Sequence, residues 1–188
     1  MEPLYRNKLS SPRLELRVLK PAQADLVLDY YQRNKLFLKK WSAEREASFY
    51  TITEQQNQLA ADLTSIRRGQ LYRVWIFKKA DPAKVIGSIS FSNIVRGCFH
   101  SCFLGYQLSQ SEVKQGYMTE ALKTAINYAF SDLRLHRIEA NIMPENKASL
   151  RVVEKLGFYC EGLAKNYLKI NGSWQDHLHL VLLNHNVE

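Results

Sequence analysis

Lys114-Gln115-Gly116-Tyr117-Met118-Thr119-Glu120-Ala121 marks the change of pattern on which the fold reading turns. Before it the chain alternates as strands do. After it, Met118, Ala121, Leu122, Ala125 and Ala129 recur at helical spacing. A strand that enters a helix through a glycine leaves backbone N–H groups unpaired at the positive end of the helix dipole. Such a start receives anions and suits a pyrophosphate, and Gly116 lets a ligand approach the backbone. Taken alone, the stretch also reads as an ordinary strand-to-helix turn.

Upstream the pattern is a meander of strands. Residues 71–78 are rich in Tyr, Val, Trp, Ile and Phe, and Ala80-Asp81-Pro82 predicts a turn. Val85, Gly87, Ile89 and Phe91 then alternate with Ile86, Ser88, Ser90 and Ser92, and a turn at Arg96-Gly97 leads to a strand ending at Leu108. Further back, Leu14, Leu16 and Val18 alternate with Arg13, Glu15 and Arg17 as in a half-buried strand. Pro21 is expected to open a helix over 21–31, with Ala22, Leu26 and Tyr30 on one face. Thr53-Glu54-Gln55-Gln56 reads as a capping box for a helix that carries Leu59, Leu63 and Ile66 and stops at Gly69.

Downstream, Ile138, Ala140 and Ile142 alternate as a strand that Pro144 ends. Asn146 starts a short helix with Leu150, Val153 and Leu156, stopped by Gly157. Asn146 is a good N-cap, which makes Ser149 the third helical residue. Strands over 158–170, with breaks, and 177–183 close the chain around the Asn171-Gly172 turn. The expected architecture is one domain over residues 1–188: a mixed, mostly antiparallel α/β (α+β) sheet of about seven strands with one crossover region.

A chain of 188 residues with 46% hydrophobic and 23% charged residues has globular composition. No apolar run approaches the roughly 20 residues that cross a bilayer, and residues 1–14 lack the apolar core of a leader. A soluble, cytoplasmic protein without membrane partners is the expectation. The net charge of +8 suits polyanions such as nucleic acid, a ribosome or a phosphate-bearing cofactor, although many soluble proteins are simply basic. The row Cys98, His100, Cys102 is read as small thiols on a strand and not as a metal site. Its members lie roughly 6.5–7 Å apart along such a strand, too far for bonds of about 2.0–2.3 Å to one tetrahedral ion.

The ordered set of short motifs resembles the GNAT superfamily of N-acetyltransferases, specifically the RimJ type that acts on ribosomal-protein alanine. The matching pieces are Leu36-Phe37-Leu38-Lys39-Lys40-Trp41, Phe91-Ser92-Asn93-Ile94-Val95-Arg96-Gly97, Gly105-Tyr106 and Gln115-Gly116-Tyr117-Met118-Thr119-Glu120-Ala121-Leu122. They continue with Asn146-Lys147-Ala148-Ser149, Glu154-Lys155-Leu156-Gly157-Phe158, Glu161-Gly162, Tyr167-Leu168-Lys169-Ile170-Asn171-Gly172 and Trp174-Gln175-Asp176-His177. The resemblance implies a GNAT fold with helices on both faces, splayed between the fourth and fifth strands. Acetyl-CoA would lie in the splay, held by Tyr106, Gln107 and Leu108 on one side and Asn141, Asn146 and Ser149 on the other. Its phosphates would meet Lys114, Gln115, Gly116, Tyr117, Met118 and Thr119. The family's phosphate loop reads Gln/Arg-x-x-Gly-x-Gly/Ala; here Val113 and Met118 stand at its first and last positions, and Lys114 stands where many relatives have Gly. The acceptor would meet Trp41, Ser92, Asn93 and His100. No metal is implied.

The same resemblance implies direct attack of a neutral amine on the thioester, with a backbone N–H near Leu108 holding the carbonyl oxygen. Ser149, or alternatively Tyr167, would assist the departing sulfur. Leu104 and Leu168 stand where relatives carry a Glu, so the base is open among Asp176, His100 and Glu154. A site with no strong base matches an α-amine better than a lysine. The expected acceptor is the Ala- or Ser-starting N-terminus of a ribosomal protein, with ribosome contact and a monomeric or homodimeric enzyme. A small-amine acetyltransferase and a ribosome- or RNA-binding protein that keeps the fold are the rival readings.

Overall fold

Alternation of apolar residues divides the chain into eight strands, seen in a computed structural model that describes residues 5–185. They are β1 (Lys8–Ser10), β2 (Leu14–Arg17), β3 (Tyr72–Lys78), β4 (Asp81–Val95), β5 (Ser101–Leu108), β6 (Arg137–Ile142), β7 (Tyr159–Ile170) and β8 (Ser173–Leu183). The helices are α1 (Ala24–Lys39), α2 (Ile52–Arg67), α3 (Tyr117–Ser131) and α4 (Lys147–Lys155). The strands form one open sheet in the order β1-β2-β3-β4-β5-β6-β8-β7. All neighbours are antiparallel except β5 and β6, which run parallel because α3 crosses between them.

Helices cover both faces. On one, Met118, Ala121, Leu122 and Ala125 of α3 and Leu150 and Val153 of α4 pack on Ile89, Phe91, Ile138 and Ala140. On the other, Val27, Tyr30, Tyr31 and Leu38 of α1 and Leu59 of α2 pack on Trp75, Phe77 and Val85. Burying such side chains stabilises the fold by about 1.5–3 kcal/mol each. No helix among the described residues is long and apolar enough to cross a membrane.

The sheet has one strand more than the sequence pattern predicts. Strand β1 is three residues long with only Leu9 buried, too short to show a period; it moves the splay from the fourth and fifth strands to β5 and β6. Helix α1 runs to Lys39, past the expected end at 31, because the polar Asn34 in its buried stripe is satisfied. The Asn34 amide donates to the Tyr30 carbonyl at 2.8 Å and to Ser109 Oγ at 3.1 Å. Helix α2 is capped by Thr51, not Thr53: the Thr51 hydroxyl accepts from the Glu54 N–H. The hairpin between β3 and β4 turns at Lys79 and Ala80, so Asp81 and Pro82 already belong to β4. Strand β8 begins four residues before the expected 177, because the turn at Asn171 and Gly172 brings Ile170 opposite Ser173. Cys98 and His100 precede β5, with Cys98 exposed and only Cys102 buried, so the three never share a strand face.

One contact fixes where β5 ends. Gly87 stands opposite Leu108, and a Cβ at Gly87 would lie 2.5 Å from the Gln107 carbonyl oxygen. Gly87→Ala is expected to force β4 and β5 apart there and to cost about 1–3 kcal/mol by overpacking. A denaturant midpoint equal to that of the unmodified protein would show that the pinch does not exist.

Candidate active site

Strands β5 and β6 pair through only three residue pairs, Ser101↔Arg137, Cys102↔Ile138 and Phe103↔Glu139, and then part. Strand β6 stays paired with β8 as far as Ile142, so the edge of β5 over 105–108 is left open. Its backbone direction follows from one bond. The Ser109 N–H donates to the Ile86 carbonyl of β4 at 2.7 Å. Alternation along the strand then turns the Leu108 N–H the other way, into the gap. Tyr106 bridges the gap on one face, its hydroxyl donating to the Ser149 carbonyl of α4 at 2.9 Å. Burial pushes that phenol above its usual range, which leaves Tyr106 as a strut.

The loop after β5 is held at several points. The Gln110 N–H donates to Asn34 Oδ1 at 3.1 Å. Glu112, buried in the short 3-10 turn Gln110–Glu112, accepts from Lys78 Nζ at 2.9 Å. Arg13 donates to the Gln115 carbonyl at 3.1 Å, and its guanidinium lies 4.5 Å from the Tyr117 ring centre. Lys114 and Gly116 both take left-handed conformations, with φ of 64° and 79°, which explains why a glycine suits position 114. Gly116 is the N-cap of α3 and carries no side chain to satisfy the first N–H groups. Those of Tyr117, Met118 and Thr119 are left at the positive end of the helix. The one acid of that first turn, Glu120, is turned to Ser11 at 2.7 Å and Arg13 at 2.6 Å. Burial raises its pKa, but these donors outweigh burial and hold the carboxyl below its usual range. The helix start therefore presents unpaired donors and no free negative charge.

Across the gap, Asn146 caps α4 by accepting from the Ser149 N–H at 3.2 Å. Both backbone groups of Ser149 are thus engaged, and its side chain also interacts with the Tyr106 phenol. The Tyr167 hydroxyl accepts from Asn141 Nδ2 at 3.2 Å and keeps its own proton to donate. The Tyr167 ring is steadied by an edge contact to His179 at 4.8 Å. Asn141 Oδ1 is buried without a donor among the described residues, and an amide N–H in the gap would satisfy it.

A cavity of about 280 Å³ opens beside the gap on the α1 face. Gly105, Tyr106 and Gln107 form its floor, with Trp41, Ser88 and Ser90 around them. Of the sequence-predicted acceptor residues, only Trp41 lines it. Ser92 and Asn93 lie further along β4, and His100 lies at the paired end of β5, bonded to the Arg134 carbonyl at 3.1 Å. Among the base candidates, Asp176 Oδ1 accepts from the Asn166 N–H at 2.8 Å and steadies the irregular stretch of β7. Glu154 is exposed on α4, and among the described residues neither it nor any other carboxylate or imidazole lines the cavity. Among the described residues no group of three His, Cys, Asp or Glu could hold a metal.

A sequence model described as an "Acetyltransferase (GNAT) domain" matches residues 13–159. The chain belongs to the GNAT acetyltransferase family. This GNAT chain is 39% identical over 171 residues to the [ribosomal protein uS5]-alanine N-acetyltransferase of Escherichia coli K12, covering 91% of this chain and 88% of that protein. It superposes with a TM-score of 0.91 on the ribosomal-protein-S5-alanine acetyltransferase of Vibrio fischeri, at 31% identity over 96% of this chain and 98% of that one. The Mycobacterium smegmatis RimJ structure, a complex with CoA-disulfide, also gives 0.91, at 25% identity over 100% of this chain and 92% of that one. The open β5 edge is thus the GNAT splay, and the expected fold with helices on both faces is the one observed. The sequence reading missed Asn34, Glu112 and Arg13, which hold the β5 end and the loop. The available signal was polar residues at buried spacing, such as Asn34 between Tyr30 and Leu38.

Proposed function

We propose that this enzyme transfers the acetyl group of acetyl-CoA to the N-terminal α-amine of a protein, a ribosomal protein with an Ala or Ser start, in the cytoplasm. The observation that carries this reading is the 39% identity to the E. coli uS5-alanine enzyme along nearly the whole chain. When bound, acetyl-CoA supplies a thioester whose carbonyl carbon an amine can attack with loss of the thiolate. The residues present fit it: the uncapped start of α3 at 116–119 for the pyrophosphate, and Asn141 Oδ1 and Asn146 beside the pantetheine arm. Lys114 and Gln115 add donors to the loop. The Leu108 N–H faces the point where charge develops on the carbonyl oxygen. Ser149 Oγ or Tyr167 Oη donates a proton or hydrogen bond to the sulfur.

The lining of the acceptor cavity supports an α-amine. An α-amine has a pKa of about 7.7–8.0 and a lysine about 10.4, so presenting lysine neutral at pH 7 costs roughly 3.5 kcal/mol more. A cavity without carboxylate or imidazole supplies no group to offset that cost. The test is thiol release from acetyl-CoA with peptides starting in Ala, Ser, Met or acetyl-Ala, beside lysine and polyamines. Ala- and Ser-starting peptides are expected to react fastest and acetyl-Ala not at all. Faster reaction of lysine or a polyamine would replace this reading with a small-amine enzyme.

A further inference from the structure

Two guanidinium groups stand at the rim of the acceptor cavity with most of their donors unmatched. A second cavity, of about 190 Å³, lies under α2 and shares Tyr31, Arg45 and Arg73 with the first. Arg45 is stacked on two aromatic faces, its guanidinium carbon 4.4 Å from the Tyr31 ring centre and 4.5 Å from that of Phe49. It makes no hydrogen bond and no ion pair among the described residues. The two ring contacts hold the group in place and leave its five N–H donors without a protein acceptor among the described residues. Arg73 is fixed differently: Nη1 holds both Asp62 oxygens, at 3.0 and 2.9 Å, leaving Nη2 and Nε without a protein partner among the described residues. Among the described residues Asp62 is the only carboxylate lining either cavity, and Arg73 already engages it. The junction is cationic, preorganised and short of an acceptor.

We propose that Arg45 and Arg73 form a subsite for a carboxylate side chain of the acceptor peptide, a few residues after its reacting N-terminus. Planar guanidinium groups bind carboxylates through paired, charge-assisted hydrogen bonds. The spacing sets the position. Arg73 pairs with Ser90, and Ser90 with Gly105 on the open edge of β5, all on one face of the sheet. Two strand spacings are about 10 Å across the sheet, and Leu108, where the reaction occurs, lies three residues, about 10 Å, further along β5, so Arg73 stands about 14 Å from it. An extended peptide covers about 3.3–3.6 Å per residue, and the side chains on both sides shorten the span, so the carboxylate falls at about the fourth residue, within a window of three to five. The inference rests on the α-amine reading of the cavity and adds a sequence preference to it.

The test uses the full-length enzyme, acetyl-CoA and two Ala-starting peptides that differ only by Glu or Gln at position 4. The Glu peptide is expected to show a KM about tenfold lower with little change in kcat, the pattern of a contact made equally in ground and transition states. Arg45→Gln should bring the two KM values together. Arg45→Glu should reverse the preference toward a Lys peptide, while circular dichroism shows the fold retained. Equal KM values for Glu and Gln with the unmodified enzyme, or preference for Lys, would overturn the subsite. So would an RNA oligonucleotide that displaces the Glu peptide in an Arg45-dependent way, since the ligand would then be phosphate. Fluorescence of Trp41 and Trp75, which line the two cavities, reads peptide binding without turnover. Arg45-dependent binding of the Glu peptide with no peptide acetylated would sink the α-amine reading and leave the subsite standing. Acetylation without Glu preference would do the reverse.

Discussion

Gly116→Val is expected to lower the affinity for coenzyme A by about 100-fold, or about 2.8 kcal/mol at about 1.4 kcal/mol per decade. The reason is conformational. Gly116 sits at φ 79° as the N-cap of α3, and a β-branched residue there is a genuine outlier whose strain costs about 1–3 kcal/mol. The loop can relieve that strain only by turning the peptide planes at 115–117, which aims the first N–H groups of α3 away from the gap. Crowding within the protein is not the cause, since a Cβ at Gly116 would meet only Arg13 Nη2, at 3.5 Å. Gly69→Val is the control. Gly69 ends α2 at φ 69°, and its Cβ would meet nothing within 4 Å. Both variants carry similar strain and should lose similar thermal stability, but only Gly116→Val should lose coenzyme A in calorimetry. Equal affinities for the two folded variants would move the phosphate site away from this loop.

The reach of the sequence follows from how locally each feature is encoded. The helix start at Gly116, the strand at 138–142 and the cap at Asn146 rest on short-range patterns, and all appear where expected. The splay does not. Nothing in the alternation of β5 says that pairing with β6 stops after Phe103, because strand pairing depends on what the partner does elsewhere. The motif order carried that information only through the family. The cavity beside the gap was legible least of all. Ser92 and Asn93 belong to a recognisable motif, while the strand register sets Ser88 and Ser90 in the cavity lining. Arg45 and Arg73 come from a loop and a strand 28 positions apart, each an unremarkable basic residue in sequence, and only folding sets both at the same rim.

The role of Ser149 separates most sharply from its helical surroundings under substitution. Two descriptions of this residue hold together in the fold: third residue of a helix capped by Asn146, and bearer of a hydroxyl beside the Tyr106 phenol at the gap. They predict different losses for Ser149→Ala. Removing only a helical serine costs a few tenths of a kcal/mol or nothing, since Ala favours the helix, and leaves the Asn146 cap intact because the cap uses the backbone N–H. Removing a donor to the leaving sulfur lowers kcat by about 10- to 1000-fold and leaves KM nearly unchanged, since the bond strengthens only as charge develops. The expected result is the second. Tyr167→Phe is the necessary partner, because that phenol also has an uncommitted proton and faces the same gap through Asn141. A small effect for Ser149→Ala beside a large one for Tyr167→Phe would exchange their roles. Losses in both that fail to multiply in the double variant would mean that the two hydroxyls act as one unit. No loss in either, with single-turnover rates also unchanged, would mean that the thiolate leaves unaided and that the geometry of attack, set by β5 and its open edge, carries the rate.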